Sequence, residues 1–389
     1  MKELSSLDTQ AVKQTVASLK GELLLFLEEI VAINSYSNNT EGVVQVAQVL
    51  RQALPSPIYL DSSSISDEGT LWIYRHGPIG EIPILLVGHL DTVFPPGTFD
   101  SGMVSQDSHL LGPGVADMKG GLAVITGALW ALDRLNVLHE IPLLLAFNGD
   151  EEIGSPRSGE MLMELARSSR LGLVFECGGP GGSVVTSRRG LHRYRLEIKG
   201  ESGHAGNQPE NKKSALVELA HQILRLEALN DAQAGLTVNV GKAFGGSAAN
   251  VIPGKAEAEF EMRFSEQRQG DDVEERIQTL AHSQHHSSLI VQLTRSHSRP
   301  AMPRTPATVS LYQQVTRTAE RIHISLSEEH RGGASDANLL AASGLSIIDG
   351  LGPVGEMDHS ENERILKDSL FQRVELLVHL LLDLKAWSH

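Results

Sequence analysis

Ile84-Leu85-Leu86-Val87-Gly88-His89-Leu90-Asp91-Thr92-Val93 decides how the rest of this 389-residue chain is read. Four apolar residues run up to a glycine and then deliver His-x-Asp. Pro83 stands before the run and Pro95-Pro96-Gly97 after it, bounds that suit a strand buried on both faces. His89 and Asp91 then fall at the strand's carboxyl end, where open α/β sheets bind ligands. Side chains at i and i+2 of an extended chain point the same way, so Asp91 can orient His89 or share its ligand. Taken alone, His-x-Asp fits turn chemistry as well. Its weight comes from the residues that end the later elements.

Upstream, Leu19, Leu23, Leu24, Leu27, Ile30 and Val31 form a stripe that predicts a helix over about 9–33. Asn39 or Thr40 caps a second helix with Val43, Val46 and Leu50 on one face. Leu71-Trp72-Ile73-Tyr74 supplies another strand. Residues 94–114 are rich in Pro, Gly, Asp and Ser and read as a loop leading to Gly112-Pro113-Gly114-Val115-Ala116-Asp117-Met118-Lys119-Gly120-Gly121. A helix follows, with Leu122, Ile125, Leu129 and Leu132 on one face. Residues 141–147 form a second buried strand ending in Asn148-Gly149-Asp150-Glu151-Glu152, and 171–175 a third ending in Glu176. This alternation predicts an α/β unit, a mainly parallel sheet with helices on both faces.

The texture changes at Arg188-Arg189-Gly190. Polar–apolar alternation over 192–199, 236–242 and 256–264, with helices near 214–228 and 272–282 and a strand at 289–294, predicts a two-layer α+β unit with an antiparallel sheet. Helical texture resumes after Arg299-Pro300 and closes with Leu366, Leu370, Val374, Leu377 and Leu381 as one buried face. The expected organisation is one α/β domain, 1–187 with 301–389, carrying 188–300 as an insertion.

A formal charge of −15 argues against nucleic acid or an anionic membrane as partner. Cys177 is the only cysteine, so no internal disulfide is possible and a reducing compartment is the default. Met1-Lys2-Glu3-Leu4-Ser5-Ser6 lacks the basic start and apolar core of a signal peptide. No apolar run approaches the roughly 18 residues of a membrane span. These features predict a soluble cytoplasmic protein.

His89 with Asp91, Asp117, Glu151 with Glu152, and Glu176 all end strands or follow strand-like runs, and the loop Met357-Asp358-His359-Ser360-Glu361 can join them. Histidine nitrogen and carboxylate oxygen without thiolate suit zinc or a similar divalent ion in a catalytic site. Two histidines and three carboxylates suffice for two metals if one carboxylate bridges, and paired metals clamp both oxygens of a hydrolysis. Of two adjacent glutamates, one can bind metal while its neighbour takes a proton from water. Singly, Glu151-Glu152 would read as a helix start, Asp117 as a cap and His359 as a loop histidine. Jointly those readings fail, because each residue lies at the expected edge of one sheet.

His89-Leu90-Asp91-Thr92-Val93, the run from Gly112 to Gly121, Asn148-Gly149-Asp150-Glu151-Glu152-Ile153-Gly154-Ser155 and Phe175-Glu176 resemble the dizinc aminoacylase and carboxypeptidase family. That family includes acetylornithine deacetylase, succinyl-diaminopimelate desuccinylase and bacterial glutamate carboxypeptidase, and the likeness covers nearly the whole chain. It implies a zinc-exopeptidase-like catalytic domain with an inserted lid and dimerisation domain. It implies two Zn2+ per chain, with Co2+ or Mn2+ as substitutes. His89, Asp117 and Glu176 would hold one ion and Asp117, Glu152 and His359 the other, with Asp117 as the bridge. Asp91 would orient His89, and Glu151 would be the general base. Ser202-Gly203-His204-Ala205-Gly206 resembles the family's histidine motif, which puts His204 on the oxyanion across a homodimer interface. Asn250 and Arg263 match positions that hold a substrate carboxylate, and Gly333, in Gly332-Gly333-Ala334-Ser335-Asp336, matches the loop lining the same pocket. A cis peptide at Asp117–Met118 is implied as well.

The resulting expectation is a metallopeptidase cleaving an amide next to a free carboxylate of a small substrate, nearest to the glutamate carboxypeptidase branch. An N-acyl-amino-acid deacylase uses the same bond chemistry and is the alternative. An aminopeptidase comes third, because Arg263 favours an anion at the substrate's end. A metal-free binding protein on the same scaffold is the reading from another class. Gly-x-Ser-x-Gly is absent, and Gly112-Pro113-Gly114 lacks the third glycine of a dinucleotide fingerprint.

Overall fold

Every residue of the strand Ile84–His89 is buried, because a parallel strand flanks it on each side: Leu143–Asn148 on one, Leu171–Val174 on the other. The computed structural model describes residues 8–56, 58–61, 70–78, 80–99, 102–207 and 212–387. Its main sheet runs in the order Tyr59–Leu60, Leu71–His76, Leu143–Asn148, Ile84–His89, Leu171–Val174, Ile347–Ile348. The last four strands are parallel. Leu71–His76 and Tyr59–Leu60 turn antiparallel at one edge, so the sheet is mixed but mainly parallel.

The helices form where the apolar spacing is three or four. Thr9–Ala32 starts at Asp8, whose carboxylate accepts from the Gln10 amide, and buries Val12, Val16, Leu19, Leu23, Leu27 and Ile30 along one side. Asn39 caps Thr40–Ala53 through the Gly42 amide. Thr9–Ala32, Gly120–Arg134 and Lys367–Ala386 pack on one another, and Gly120–Arg134 also lies against the Ile84–His89 strand. Among the described residues one stretch, Val115–Arg134, is long and apolar enough by length and composition to cross a membrane, although Asp117, Lys119 and Asp133 interrupt it. Its glycines and alanines hide that apolarity from a count of large side chains. Of its most apolar window, 89% is buried inside the protein, which is the environment of a core helix.

Residues 94–114 are not all loop. Val104–Gln106 and His109–Leu111 form a hairpin whose turn places Asp107 at φ 50°, and Arg364–Leu366 pairs with its second strand. Strands of three residues are too short for alternation to show.

The chain divides into two compact units, Met1–Ser187 with Arg304–His330 and Ser335–His389, and Arg188–Pro303 with Arg331–Ala334. Residues 331–334 thus group with the inserted unit rather than with the α/β domain, where the boundary at 301 had put them. Three bonds explain it: Arg189 N donates to Arg331 O, Arg263 Nη1 to Gly332 O and Arg188 Nη1 to Gly333 O. The inserted unit has its own core beneath an antiparallel sheet ordered Thr237–Gly245, Lys255–Phe264, Gly190–Lys199, Ile290–Arg299. In Lys255–Phe264 the buried Ala256, Ala258, Phe260, Met262 and Phe264 alternate with Glu257, Glu259 and Glu261 on the other face.

One close approach sets how the first unit packs. A Cβ on Gly121 would stand 1.9 Å from the backbone oxygen of Phe175, so only glycine lets the Gly120–Arg134 helix start this near the end of the Leu171–Val174 strand. Gly121→Ala should therefore destabilise the protein by about 3 kcal/mol or more, since backbone on both sides has to move. A thermal melt of the purified variant matching wild type would refute that contact.

Candidate active site

Three neighbouring parallel strands end on the same edge of the sheet, and each delivers ligand chemistry there. His89 is the last residue of its strand and lies opposite Asn148 in register. Glu151 and Glu152 follow three and four residues beyond Asn148, and Glu176 follows two beyond Val174. Asp117 arrives on the turn before the Gly120–Arg134 helix, next to a cis Asp117–Met118 peptide. His359, at φ 60°, comes from the loop before Arg364–Leu366.

Asp117 stands between the two histidines. His89 Nε2 is 2.9 Å from its Oδ1, and His359 Nε2 is 3.0 Å from its Oδ2. Glu176 Oε1 lies 3.8 Å from His89 Nε2, and Glu152 Oε2 lies 3.3 Å from His359 Nε2. The donor atoms therefore fall into two sets, His89, Asp117, Glu176 and Asp117, Glu152, His359, each within 4.8 Å and with Asp117 common to both.

These residues fit a pair of cations. Burial pushes Glu176 well above the usual carboxylate range and the charge of Asp117 pushes it further. Glu152 rises to about 7 for the same two reasons. Burial acts on Asp117 in the same direction, yet hydrogen bonds from His359 and His89 outweigh it and hold Asp117 well below its ordinary value. His359 rises to about 11 through its bonds to Asp117 and Glu152. The set is thus short of positive charge, and Glu152 Oε1 is a buried acceptor with no hydrogen-bond partner. Nitrogen and oxygen donors without sulfur are what zinc and similar divalent ions take.

Asp91 is fully buried and does more than face His89. Its backbone oxygen is 3.0 Å from His89 Nδ1 and its Oδ1 is 3.5 Å away. Its carboxylate also accepts from the amides of Glu151 and Glu152, at 3.2 Å each, and from Ser37 Oγ at 2.7 Å. One carboxylate thereby ties the histidine strand to the paired glutamates. The charge of Glu151 is among those that raise Glu176.

A second buried network braces the same loop, and sequence reasoning missed it. Asp336 accepts from Asn148 Nδ2 at 2.7 Å and from Ser155 Oγ at 2.5 Å, while Asp150 accepts from Ser158 Oγ and from the amides of Arg157 and Ser158. The one signal was the density of Asn, Asp and Ser around Glu151-Glu152, which reads equally as an ordinary turn. In sequence Asp336 belongs to the run Gly332–Asp336 that resembles a pocket-lining loop.

His204, Asn250, Arg263 and Gly333 all lie in the inserted unit. Gly203–His204 pairs with Val251–Ile252, the Ala205 amide donates to Asn250 O, and both His204 and Asn250 are exposed. His204 Nδ1 accepts from the Gly206 amide at 3.2 Å. Arg263 is already engaged, with Nε 2.7 Å from Glu261 Oε1 and Nη1 on Gly332 O. Gly333 offers its carbonyl to Arg188.

A sheet edge with two donor sets sharing a carboxylate, on a chain with a separate inserted α+β unit, defines a dinuclear metal-dependent hydrolase. The peptidase dimerisation domain of the M20 peptidases matches residues 186–287. Carboxypeptidase G2 of Pseudomonas sp. (strain RS-16) is 27% identical over 370 residues, 92% of this chain and 88% of that protein. The succinyl-diaminopimelate desuccinylase of Marinobacter nauticus is 28% identical over 340 residues, 81% of this chain and 86% of the relative. A dinuclear metal-binding peptidase of the M20 family from Bacillus subtilis has the same fold, with a TM-score of 0.72 at 14% identity over 95% of this chain and 99% of the other. The protein is a metal-dependent amide hydrolase that carries an M20-type dimerisation domain and is homologous to carboxypeptidase G2 and the desuccinylases.

With Asp117 in both donor sets, Asp117→Ala should leave neither set with three ligands, and the protein should lose both ions. Elemental analysis after dialysis should give two divalent ions per wild-type chain and fewer than one in the variant. Two retained ions would overturn the shared-ligand assignment.

Proposed function

We propose that this enzyme is a zinc carboxypeptidase that releases a C-terminal amino acid, glutamate in the first instance, with His89, Asp117 and Glu176 on one ion and Asp117, Glu152 and His359 on the other. The observation that carries this reading is the carboxylate of Asp117, which turns one oxygen to each histidine. Two divalent ions held there, zinc with cobalt or manganese as substitutes, would polarise the scissile carbonyl and lower the pKa of the attacking water. Glu151 takes the proton of that water and later hands it to the leaving nitrogen. Asp91 fixes the amide of Glu151 and so aims its side chain. Asn250 and Arg263 hold the substrate's carboxylate, which must compete with Glu261 for the guanidinium. Gly333 lines the same pocket.

A homodimer completes the site in this reading, with the partner subunit's His204 donating to the oxyanion. Support comes from the dimerisation-domain match and from the inserted unit itself. Its sheet ends in the edge strand Thr237–Gly245, where Phe244 is 58% exposed, and Leu224 on the helix Ala215–Glu227 is 70% exposed. Side chains of Asn230 and Glu227 occupy the backbone at Val238 and Val240, and the part of the edge past Val240, with apolar side chains in the same unit, is a surface suited to pairing with another chain. Cys177 as sole cysteine suits a reducing cytoplasm. The likeness to a desuccinylase favours one second reading, an N-acyl-amino-acid deacylase.

A release assay should separate the two readings. Peptides and N-acyl amino acids ending in glutamate, aspartate or a neutral residue are offered to the zinc-loaded enzyme, with Glu151→Gln as control. Turnover of C-terminal glutamate peptides is expected, with a loss of about 10²–10⁴-fold in Glu151→Gln at unchanged metal content. Preference for succinyl or acetyl substrates would establish the deacylase instead. No turnover in a fully loaded protein would leave a binding role.

Subunit mixing tests the shared site. Glu151→Ala and His204→Ala should each be inactive alone, but when His204 acts in trans a mixed dimer has one intact site. Random pairing makes half the dimers mixed, so activity should return to about a quarter of wild type. Mixtures that remain inactive after proven exchange would place His204 in its own chain's site.

A further inference from the structure

Glu363 is a fully buried carboxylate that none of the chemistry above uses. The antiparallel pairing of Arg364–Leu366 with His109–Leu111 carries it to the segment that ends in Asp117. The ladder goes one step further, with the Gly112 amide donating to Glu363 O at 3.3 Å, and then the side chain takes over. Oε1 accepts from the amides of Ala116 at 2.7 Å and Asp117 at 2.9 Å, and Oε2 accepts from the amide of Gly114 at 3.1 Å. Gly114 at φ 73° makes this possible, because a left-handed residue followed by a turn aims successive N–H groups into one concavity, a nest for an anion.

We propose that Glu363 is a positioning residue for the shared metal ligand, holding the backbone of Gly114–Asp117 so that the Asp117 carboxylate faces both histidines. Two of its three bonds go to Asp117 and the residue before it. Glu363 also lies four residues after His359, in a loop closed on itself by Ser360 N on Met357 O and Glu363 N on Ser360 O. One side chain therefore sets in register two ligands 242 positions apart in sequence. Without it, Ala116 and Asp117 would each bury an N–H with no acceptor and the turn would rearrange. Outer-sphere partners of this kind typically change metal affinity about 10–100-fold.

The proposal rests on Asp117 being the common ligand, and the test separates the two. Metal-free wild type, Glu363→Gln, Glu363→Asp and Asp117→Ala are titrated with zinc against a chromogenic chelator, and melted with and without zinc. Glutamine keeps the size but sets an NH2 group against the Gly114 amide. Aspartate keeps the charge but is one methylene short. Both should bind zinc about 10–100-fold more weakly than wild type, and the rise in Tm on adding zinc should shrink accordingly. A merely structural role would lower Tm equally with and without zinc and leave the affinity within threefold of wild type, which would overturn the proposal. If Asp117→Ala keeps both ions, it is the shared-ligand reading that fails. Should no Glu363 variant fold, hydrogen exchange on metal-free wild type decides: the amides of Gly114, Ala116 and Asp117 should be strongly protected, and fast exchange at those three would refute the bonds on which the role depends.

Discussion

Everything at the sheet edge depends on one electrostatic constraint: three carboxylates brought together in a buried place with only two imidazoles to face them. Asp117 remains charged between His89 and His359, while burial and its own charge make Glu152 and Glu176 costly to ionise. Such a cluster gains little as a source of fold stability. It is suited to cations, and the surrounding structure is arranged to keep it assembled against its own repulsion.

That bracing explains why so much of the neighbourhood is polar yet buried. Asp91 takes up the amides of both glutamates, Asp336 takes up Asn148 and Ser155, and Asp150 takes up the chain at 157–158. Each of these acids accepts hydrogen bonds from the chain around it, so the acidic residues divide into those of the two donor sets and struts. The distinction lies in what each faces, because both kinds are aspartate and glutamate. A loop with two adjacent glutamates needs such struts, since neither residue can relax away from its neighbour without losing the donor geometry.

Much of this could be read from the chain, for a local reason. A strand buried on both faces must be apolar throughout, so the first polar residue after 84–88, 143–147 or 171–175 marks both the strand's end and the sheet edge. The α+β insertion announced itself through period-two alternation, as in 256–264. What sequence reasoning missed rests on partners far apart in the chain. Asp336 finds Asn148 across 188 positions, and residues 331–334 group with the inserted unit through arginines at 188, 189 and 263. The three-residue strands at 104–106 and 109–111 pair with each other, and 109–111 pairs in turn with 364–366, which no local pattern encodes.

In the proposed homodimer, the edge strand Thr237–Gly245 bears on how this chain would distinguish its own kind. Main-chain hydrogen bonding is indifferent to side chains, but Asn230 already bonds the N–H and carbonyl of Val238 and Glu227 accepts from the Val240 amide, so it is the part past Val240 that would take an added segment. Discrimination must then come from what interrupts or decorates the edge. Here the register shifts between Val240 and Lys242, and Lys242 is held by Glu259 on the neighbouring strand. In the proposed homodimer a bulge and the Lys242–Glu259 pair near the middle of the strand would disfavour partners that lack a matching offset, while Phe244 would favour those that offer a complementary apolar surface. In the proposed homodimer these few residues, and not the metal site, would decide which chains assemble together.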